Sequence, residues 1–154
     1  MITDQEKVGN YDTVVHIKRV RDLLDKVAIE IIKRGQKHDE SKLHPPESNL
    51  FAEYTPVLSS LTYNSEEFNE IKKKLKPALD HHYANNRHHP ENHKNGVNDM
   101  NLIDIIEMFC DWKASSERHN DGNIKKSIET NKRRFEMSEQ LARIFENTIS
   151  FIED

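Results

Sequence analysis

Apolar residues recur at helical spacing along most of this 154-residue chain, and only four glycines and five prolines interrupt them. Apolar positions that return every three to four residues line one face of an α-helix. No run keeps the strict alternation of apolar and polar residues that is typical of a strand. The pattern therefore predicts an all-α protein, a single-domain helical bundle of about six helices over residues 1–154.

Capping and stop signals set the expected bounds of these helices. The first helix is predicted from Asp12 or Thr13, either of which can cap it, to Gly35, a favourable stop. Pro77 is expected to kink or split the third helix. The polar stretch 85–99 is expected to be a functional loop, since long loops are uncommon in compact domains. The other helices are predicted from Pro46 to Pro56, from Asn64 or Ser65 to His82, from Asn98 or Asp99 to Arg118, from Ile124 to Phe135 and from Ser138 to Ile152.

The composition argues against several classes of protein. The formal net charge of −4 gives no overall basic character of the kind that marks nucleic-acid-binding domains. The single cysteine, Cys110, excludes an internal disulfide framework and suits a reducing compartment. No apolar run approaches the roughly 20 residues that span a bilayer, and the first residues lack the layout of a signal peptide. We therefore expect a cytoplasmic protein with no membrane partner.

The dipeptide His38-Asp39 lies just beyond the predicted stop at Gly35. Neighbouring side chains diverge by about 100° on a helix, but in a bend at a helix end both can converge on one ion. Imidazole nitrogen with carboxylate oxygen is a ligand set suited to Zn, Mn or Fe. Taken alone, a capping aspartate beside an exposed histidine is the commoner interpretation.

Histidine is concentrated further along the chain. Five of the nine histidines fall within 13 residues: His81, His82, His88, His89 and His93. The register of the third helix places His82 on its apolar side and His81 near the opposite side. Two inward histidines from this stretch would complete a second metal site or bind a phosphate. An exposed polar loop is the alternative.

Two helices offer further ligands. His16 lies close in angle to Val20 on the apolar stripe of the first helix, where a hydrogen-bonded core histidine is the alternative to a metal ligand. Asp104, Glu107 and Asp111 share one side of the fourth helix. That side is either an acidic face in solvent or a source of a metal ligand, because an unpaired buried charge is costly.

In chain order these residues give the pattern H…HD…H…D, which resembles the HD superfamily of metal-dependent phosphohydrolases. The resemblance covers about residues 11–118 and leaves two C-terminal helices at 122–152 outside it. The segments HDESK, HHYANNRHHPENH and EMFCDWKAS are also similar to small HD-like proteins common in phages and bacteria. In the HD family a helical bundle encloses the metal.

The resemblance implies a site of one or two divalent cations, drawn from Mn, Fe, Zn, Co, Ni or Mg. It implies that the first cation is bound by His16, His38, Asp39 and Asp111. It implies that a second is bound by His82 and His89, with His81 and His88 in reserve.

The activity implied is hydrolysis of a phosphate ester by a metal-activated water. Asp39, Glu40 and Lys42 are the expected catalytic residues, with Glu40 as general base or water-orienting group. Lys42 is also expected to bind the phosphate, together with Arg87 and His88 if the loop folds over the site. The substrate expected by family analogy is small, phosphorylated and nucleotide-like.

Three alternatives stay open. The first is a phosphodiesterase or nuclease acting on a nucleotide second messenger or on nucleic acid; the two lysine-rich stretches, IKKKLKP and KKSIETNKRR, are more simply solvated helix faces. The second is a non-catalytic metal-binding regulator, and the third is a plain helical interaction protein. A homodimer is compatible with each of them.

Overall fold

The computed structural model of the chain describes residues 3–62, 65–118 and 122–152. No strand occurs in these ranges, so the all-α class predicted from the sequence is confirmed. No described helix combines the length and the apolar composition needed to cross a lipid bilayer. The α-helices in these ranges are α1 (Asp4–Lys37), α2 (Glu47–Ser60), α3 (Glu66–Asn85), α4 (Leu102–Ser116), α5 (Ile124–Arg134) and α6 (Glu139–Thr148).

The chain divides into two compact units, residues 1–36 and 37–154. The first unit contains all of α1 but its last residue; this helix begins well before the predicted Asp12 and continues through Gly35 to Lys37. The predicted stop at Gly35 is therefore wrong; a glycine inside a helix costs only about 1 kcal/mol.

The left-handed residue beyond the end of α1 is Asp39, with φ 57° and ψ 15°. Aspartate tolerates this backbone conformation better than most residues, because its short polar side chain can bond locally. A 3₁₀ turn over Glu40–Leu43 follows directly.

In the second unit, α2 packs along α3. Pro56 does not end α2, which continues to Ser60, and α3 runs as one helix through Pro77. A proline removes one backbone donor, yet both helices continue past their prolines. Ser65 caps α3 as predicted, its hydroxyl accepting from the Phe68 N–H at 3.1 Å; the alternative cap Asn64 lies outside the described residues.

The stretch between α3 and α4 is compact. It contains 3₁₀ turns over Pro90–Asn92 and Gly96–Asp99. The predicted caps Asn98 and Asp99 fall in the second turn, and α4 instead begins after Asn101. The Asn101 side chain accepts from the Asp104 N–H and the Asp104 carboxylate accepts from the Asn101 N–H, so the two residues form a reciprocal capping box.

The last three helices supply most of the hydrophobic core. The Phe109 and Phe145 rings stack with centroids 5.0 Å apart, and Trp112 meets Phe145 edge-on at 5.7 Å. Ser138 caps α6 as predicted, and Ile144 lies on the exposed side of this helix. The buried cluster comprises Met108, Phe109, Trp112, Ile124, Ile128, Met137, Ala142, Phe145 and Ile149.

Candidate metal centre

Four parts of the second unit bring histidines and carboxylates together. His38 and Asp39 lie in the bend after α1, His82 lies near the end of α3, and Asp111 lies on α4. His88 and His89 follow α3 in the compact stretch. Their ligand atoms lie within 4.8 Å of one another in overlapping groups: Asp39 with His82, His88 and His89; His38 with Asp39 and Asp111; and His38 with His88 and Glu107.

Asp39 lies at the centre of these groups. Its Oδ1 is 3.4 Å from His82 Nε2 and 3.5 Å from His88 Nε2. Its Oδ2 is 3.5 Å from His38 Nε2 and 2.5 Å from the Lys42 ammonium. The left-handed backbone at Asp39 is what turns the chain here. One carboxylate thus faces three imidazoles, and Asp39 belongs to two of the candidate ligand groups.

Two further carboxylates contact the outer edges of these imidazoles. Glu47, in the first turn of α2, is fully buried, and its two oxygens lie 2.7 Å from His81 Nδ1 and 2.8 Å from His82 Nδ1. Glu107 on α4 lies 3.0 Å from His38 Nδ1 and 3.1 Å from His88 Nδ1 through one oxygen. The Nε2 atoms of His38, His82 and His88 consequently face Asp39.

The site contains buried polar atoms that the protein itself does not satisfy. Within the described residues, these are Asp39 Oδ1 and both ring nitrogens of His88, none of which forms a hydrogen bond. The 3.1 Å contact of His88 Nδ1 with Glu107 lies outside hydrogen-bond geometry. Buried polar groups almost always have a partner, so a divalent cation fits here. The mixture of imidazole and carboxylate donors suits Zn, Mn, Fe, Co or Ni better than Ca.

Two histidines of the cluster are held neutral, as metal ligation requires. Burial, followed by the neighbouring His88 and His82, lowers the pKa of His89 to about 3. Burial, followed by the charge of Lys42, also lowers the pKa of His82. Each ring therefore has an unprotonated nitrogen available at neutral pH.

His38 differs from them. The Asp111 carboxylate, followed by the Glu107 carboxylate, raises the pKa of His38 to about 10. Burial alone would raise the pKa of Asp111, but the nearby histidines, His38 first, outweigh it, and the pKa is lowered. In the metal-free protein both ring nitrogens of His38 therefore carry a proton, and a cation that binds at Nε2 has to displace the proton there.

The acidic side of α4 faces the protein interior, but its three carboxylates have different surroundings. Asp111 lies 3.8 Å from His38 Nε2 and belongs to a candidate ligand group. Glu107 contacts the far edges of two ligand rings. Asp104, fully buried, pairs with both Arg87 Nε at 3.2 Å and Arg87 Nη2 at 2.8 Å. Asp111 and Glu107 both belong to candidate ligand groups, and Asp111 is the one that lies at the Nε2 edge of His38, which faces Asp39.

The remaining predicted site residues lie outside the candidate ligand groups. His16 is exposed on α1, in the first unit, and its role as a ligand stays a prediction. Glu40 is exposed at the start of the 3₁₀ turn, and its role as general base also stays a prediction. Lys42 points at Asp39, while Arg87 has Asp104 as a partner. Whether Lys42 or Arg87 contacts a phosphate remains a prediction for both.

Sequence reasoning missed Glu47 and undervalued His88. A glutamate in the first turn of a helix is normally explained by the helix dipole, so nothing in the pattern distinguishes Glu47 from a surface residue. His88 was expected only as a reserve ligand or a phosphate contact, yet its side chain is buried among the ligands. The adjacent residues His88 and His89 lie in a non-helical segment, where helical periodicity gives no orientation.

A model of one protein family, described as a family of unknown function (DUF5662), matches residues 5–152. No curated protein and no solved structure matches the chain. The match covers nearly all of both units and supplies no activity, substrate or partner.

Proposed function

The chain belongs to this family of unknown function, and from the geometry of its metal centre we propose that it is a metal-dependent phosphohydrolase acting on a small, nucleotide-like phosphate ester. One observation carries the proposal: four imidazoles and three carboxylates converge, and buried polar atoms among them lack a partner. A purely structural histidine cluster would be expected to satisfy those atoms internally.

The ligands we propose are His38, Asp39, His82, His89 and Asp111, with His88 beside them. Asp39 can serve two cations because its Oδ1 faces His82 and His88 while its Oδ2 faces His38. A bound divalent cation would lower the pKa of a coordinated water from 15.7 towards roughly 7 and so supply hydroxide at neutral pH.

A cavity beside His82 and His89 offers room for the substrate. Its volume is about 590 Å³, within the usual range for small-molecule sites. Lys42 and Arg118 supply positive charge, which suits phosphoryl oxygens. Phe51 and Tyr83 supply aromatic surface, which suits a ring such as a nucleobase. The lining is completed by Leu43, Ser48, Thr55 and Leu79.

The proposal is tested on protein purified without a histidine tag. Metal content is measured by elemental analysis, and the protein is then assayed with Mn, Co, Ni, Zn or Mg against nucleotides, p-nitrophenyl phosphate and bis(p-nitrophenyl) phosphate. Asp39→Ala is expected to lose both metal and turnover. Asp80→Ala removes an exposed carboxylate from α3 and serves as the matched control.

Each result discriminates between functions. Hydrolysis of monoesters that depends on Asp39 supports the proposal. Turnover of diesters alone would identify a phosphodiesterase instead. Stoichiometric metal without turnover of either class would identify a metal-binding regulator, and protein that binds no divalent metal would contradict the proposed site.

A further inference from the structure

Two carboxylates lie one layer outside the proposed ligands: Glu47 on α2 and Glu107 on α4. We infer that both are positioning residues, which hold a proton on Nδ1 of His82 and of His38 so that Nε2 of each ring is left to bind metal. The inference rests on the metal site of the proposed function, but it concerns these rings and not the substrate.

The hydrogen bonds around His82 fix which nitrogen carries the proton. The side-chain amide of Asn86 lies 3.0 Å from His82 Nδ1 and could in principle donate to it. However, its two hydrogens already have acceptors, Ser41 Oγ at 2.7 Å and the His82 carbonyl at 2.8 Å. A carboxylate can only accept, so at the 2.8 Å contact with Glu47 the hydrogen must belong to His82 Nδ1.

Glu47 accepts a hydrogen bond from the Nδ1–H of two rings at once. Its other oxygen accepts from His81 Nδ1 at 2.7 Å, and the carboxylate has no exposed surface. A fully buried carboxylate is costly unless it is hydrogen-bonded. The two imidazole donors therefore stabilise Glu47, and Glu47 in turn fixes the orientation of both rings.

Glu107 performs the corresponding role on the other side of the centre. Its Oε1 lies 3.0 Å from His38 Nδ1, in hydrogen-bond geometry, and 3.1 Å from His88 Nδ1. With Nδ1 bonded to Glu107, His38 presents Nε2 towards Asp39 and Asp111. Two carboxylates from different helices thus orient the rings that surround one aspartate.

This arrangement has a measurable consequence for metal binding. A neutral imidazole has one N–H and one lone pair, so a proton fixed on Nδ1 leaves the lone pair on Nε2. Hydrogen bonds of this kind to metal-bound histidines typically contribute 10–100-fold in metal affinity. Neither glutamate needs to touch the metal to have this effect.

The first test reads the tautomers directly. Long-range ¹H–¹⁵N correlation spectra of the metal-free, ¹⁵N-labelled protein distinguish Nδ1–H from Nε2–H rings. We expect Nδ1–H for His82, and a hydrogen-bonded Nδ1–H for His38. In the near-isosteric variant Glu47→Leu, His82 is expected to move towards the Nε2–H form. Wild-type His82 in the Nε2–H form would overturn the inference, even if the variant failed to fold.

The second test measures Co²⁺ affinity by titration. Glu47→Leu and Glu107→Leu are expected to bind Co²⁺ 10–100-fold more weakly than wild type. Glu47→Gln, which keeps one acceptor, is expected to fall between wild type and Glu47→Leu. Glu67→Leu, at an exposed glutamate of α3, is the matched control and is expected to bind like wild type.

The two proposals fail separately. Wild-type Co²⁺ affinity in both leucine variants would overturn the positioning roles while leaving the hydrolase proposal standing. If the metal-loaded protein hydrolyses no phosphate ester, but the tautomers and affinities are as expected, only the proposed function is lost. Circular dichroism of each metal-free variant shows whether a lost affinity reflects unfolding.

Discussion

Alanine substitutions at Asp104 and at Asp111 distinguish a carboxylate of α4 that stabilises the fold from the one that we propose as a metal ligand. The Asp104 carboxylate accepts from the Asn101 N–H at 3.1 Å and from two nitrogens of Arg87. We expect Asp104→Ala to destabilise the protein while leaving its Co²⁺ stoichiometry unchanged. Asp111→Ala is expected to do the reverse, since Asp111 belongs to a candidate ligand group.

The size of the destabilisation expected for Asp104→Ala follows from the hydrogen bonds that the variant loses. The helix-capping hydrogen bond contributes about 1 kcal/mol. Hydrogen bonds to a charged group contribute about 1.5–3 kcal/mol. The Arg87 side chain is 49% exposed, so water replaces part of that interaction and about 1–2 kcal/mol remains. The expected loss of unfolding free energy for Asp104→Ala is therefore about 2–3 kcal/mol.

Arg87→Ala provides an internal check on this reasoning. It leaves the fully buried Asp104 without its guanidinium partner, and an unpaired buried charge costs about 3–5 kcal/mol. Hydrogen bonds that Asp104 keeps, among them the one from the Asn101 N–H, reduce this to roughly 2–4 kcal/mol. The double variant is expected to lose less than the sum of the two single losses, because the pair is already broken in each.

Urea denaturation of the metal-free proteins, followed by circular dichroism, measures these differences. Co²⁺ titration of the same samples measures the site. If Asp104→Ala lost its metal while keeping wild-type stability, Asp104 would be a ligand and the role assigned to it here would be wrong.

Four further outcomes are expected. Asp39→Ala and Asp39→Gly should both lose metal by Co²⁺ titration, but the glycine variant should be about 1 kcal/mol more stable in urea, because it adopts the left-handed backbone freely. The unfolding free energy of the metal-free protein should fall as the pH drops from 6.5 towards 3. The pKa of His89 is about 3 in the fold, so over this range the unfolded chain takes up a proton that the folded chain does not. His89→Leu should therefore make the unfolding free energy, measured by urea titration, depend less steeply on pH. Lys42→Ala should weaken binding of inorganic phosphate to the metal-loaded protein about tenfold by calorimetry. Phe145→Ala should cost about 3–5 kcal/mol in urea without changing metal content, because it empties the aromatic core.

The features that the sequence predicted well are those that depend on local chemistry. The caps at Ser65 and Ser138 were predictable because a serine ahead of a helix start has one dominant use. The register that placed His82 on the inner side of α3 also holds in the structure, where His82 is buried. A continuous helix preserves its periodicity over several turns, even through Pro77.

The features that were not predictable depend on contacts between distant segments. Gly35 carries a stop signal, but α1 continues to Lys37, and the left-handed residue is Asp39, whose carboxylate lies among three imidazoles. Glu47 looks like an ordinary residue at a helix start until α2 is packed against α3. Asp111 and Glu107 lie one helical turn apart on α4, and the sequence does not show which of them faces Nε2 of His38. In the structure Asp111 faces Nε2 and Glu107 bonds to Nδ1.

The backbone at residue 39 also limits which side chains this position can accept. A left-handed conformation admits glycine, asparagine and aspartate readily, and of these only aspartate carries a negative charge. Glutamate has the charge but lacks the short reach that eases this conformation. If the proposed metal site is right, a family member with asparagine or glycine at this position would keep the left-handed turn but lack the carboxylate that the metal needs.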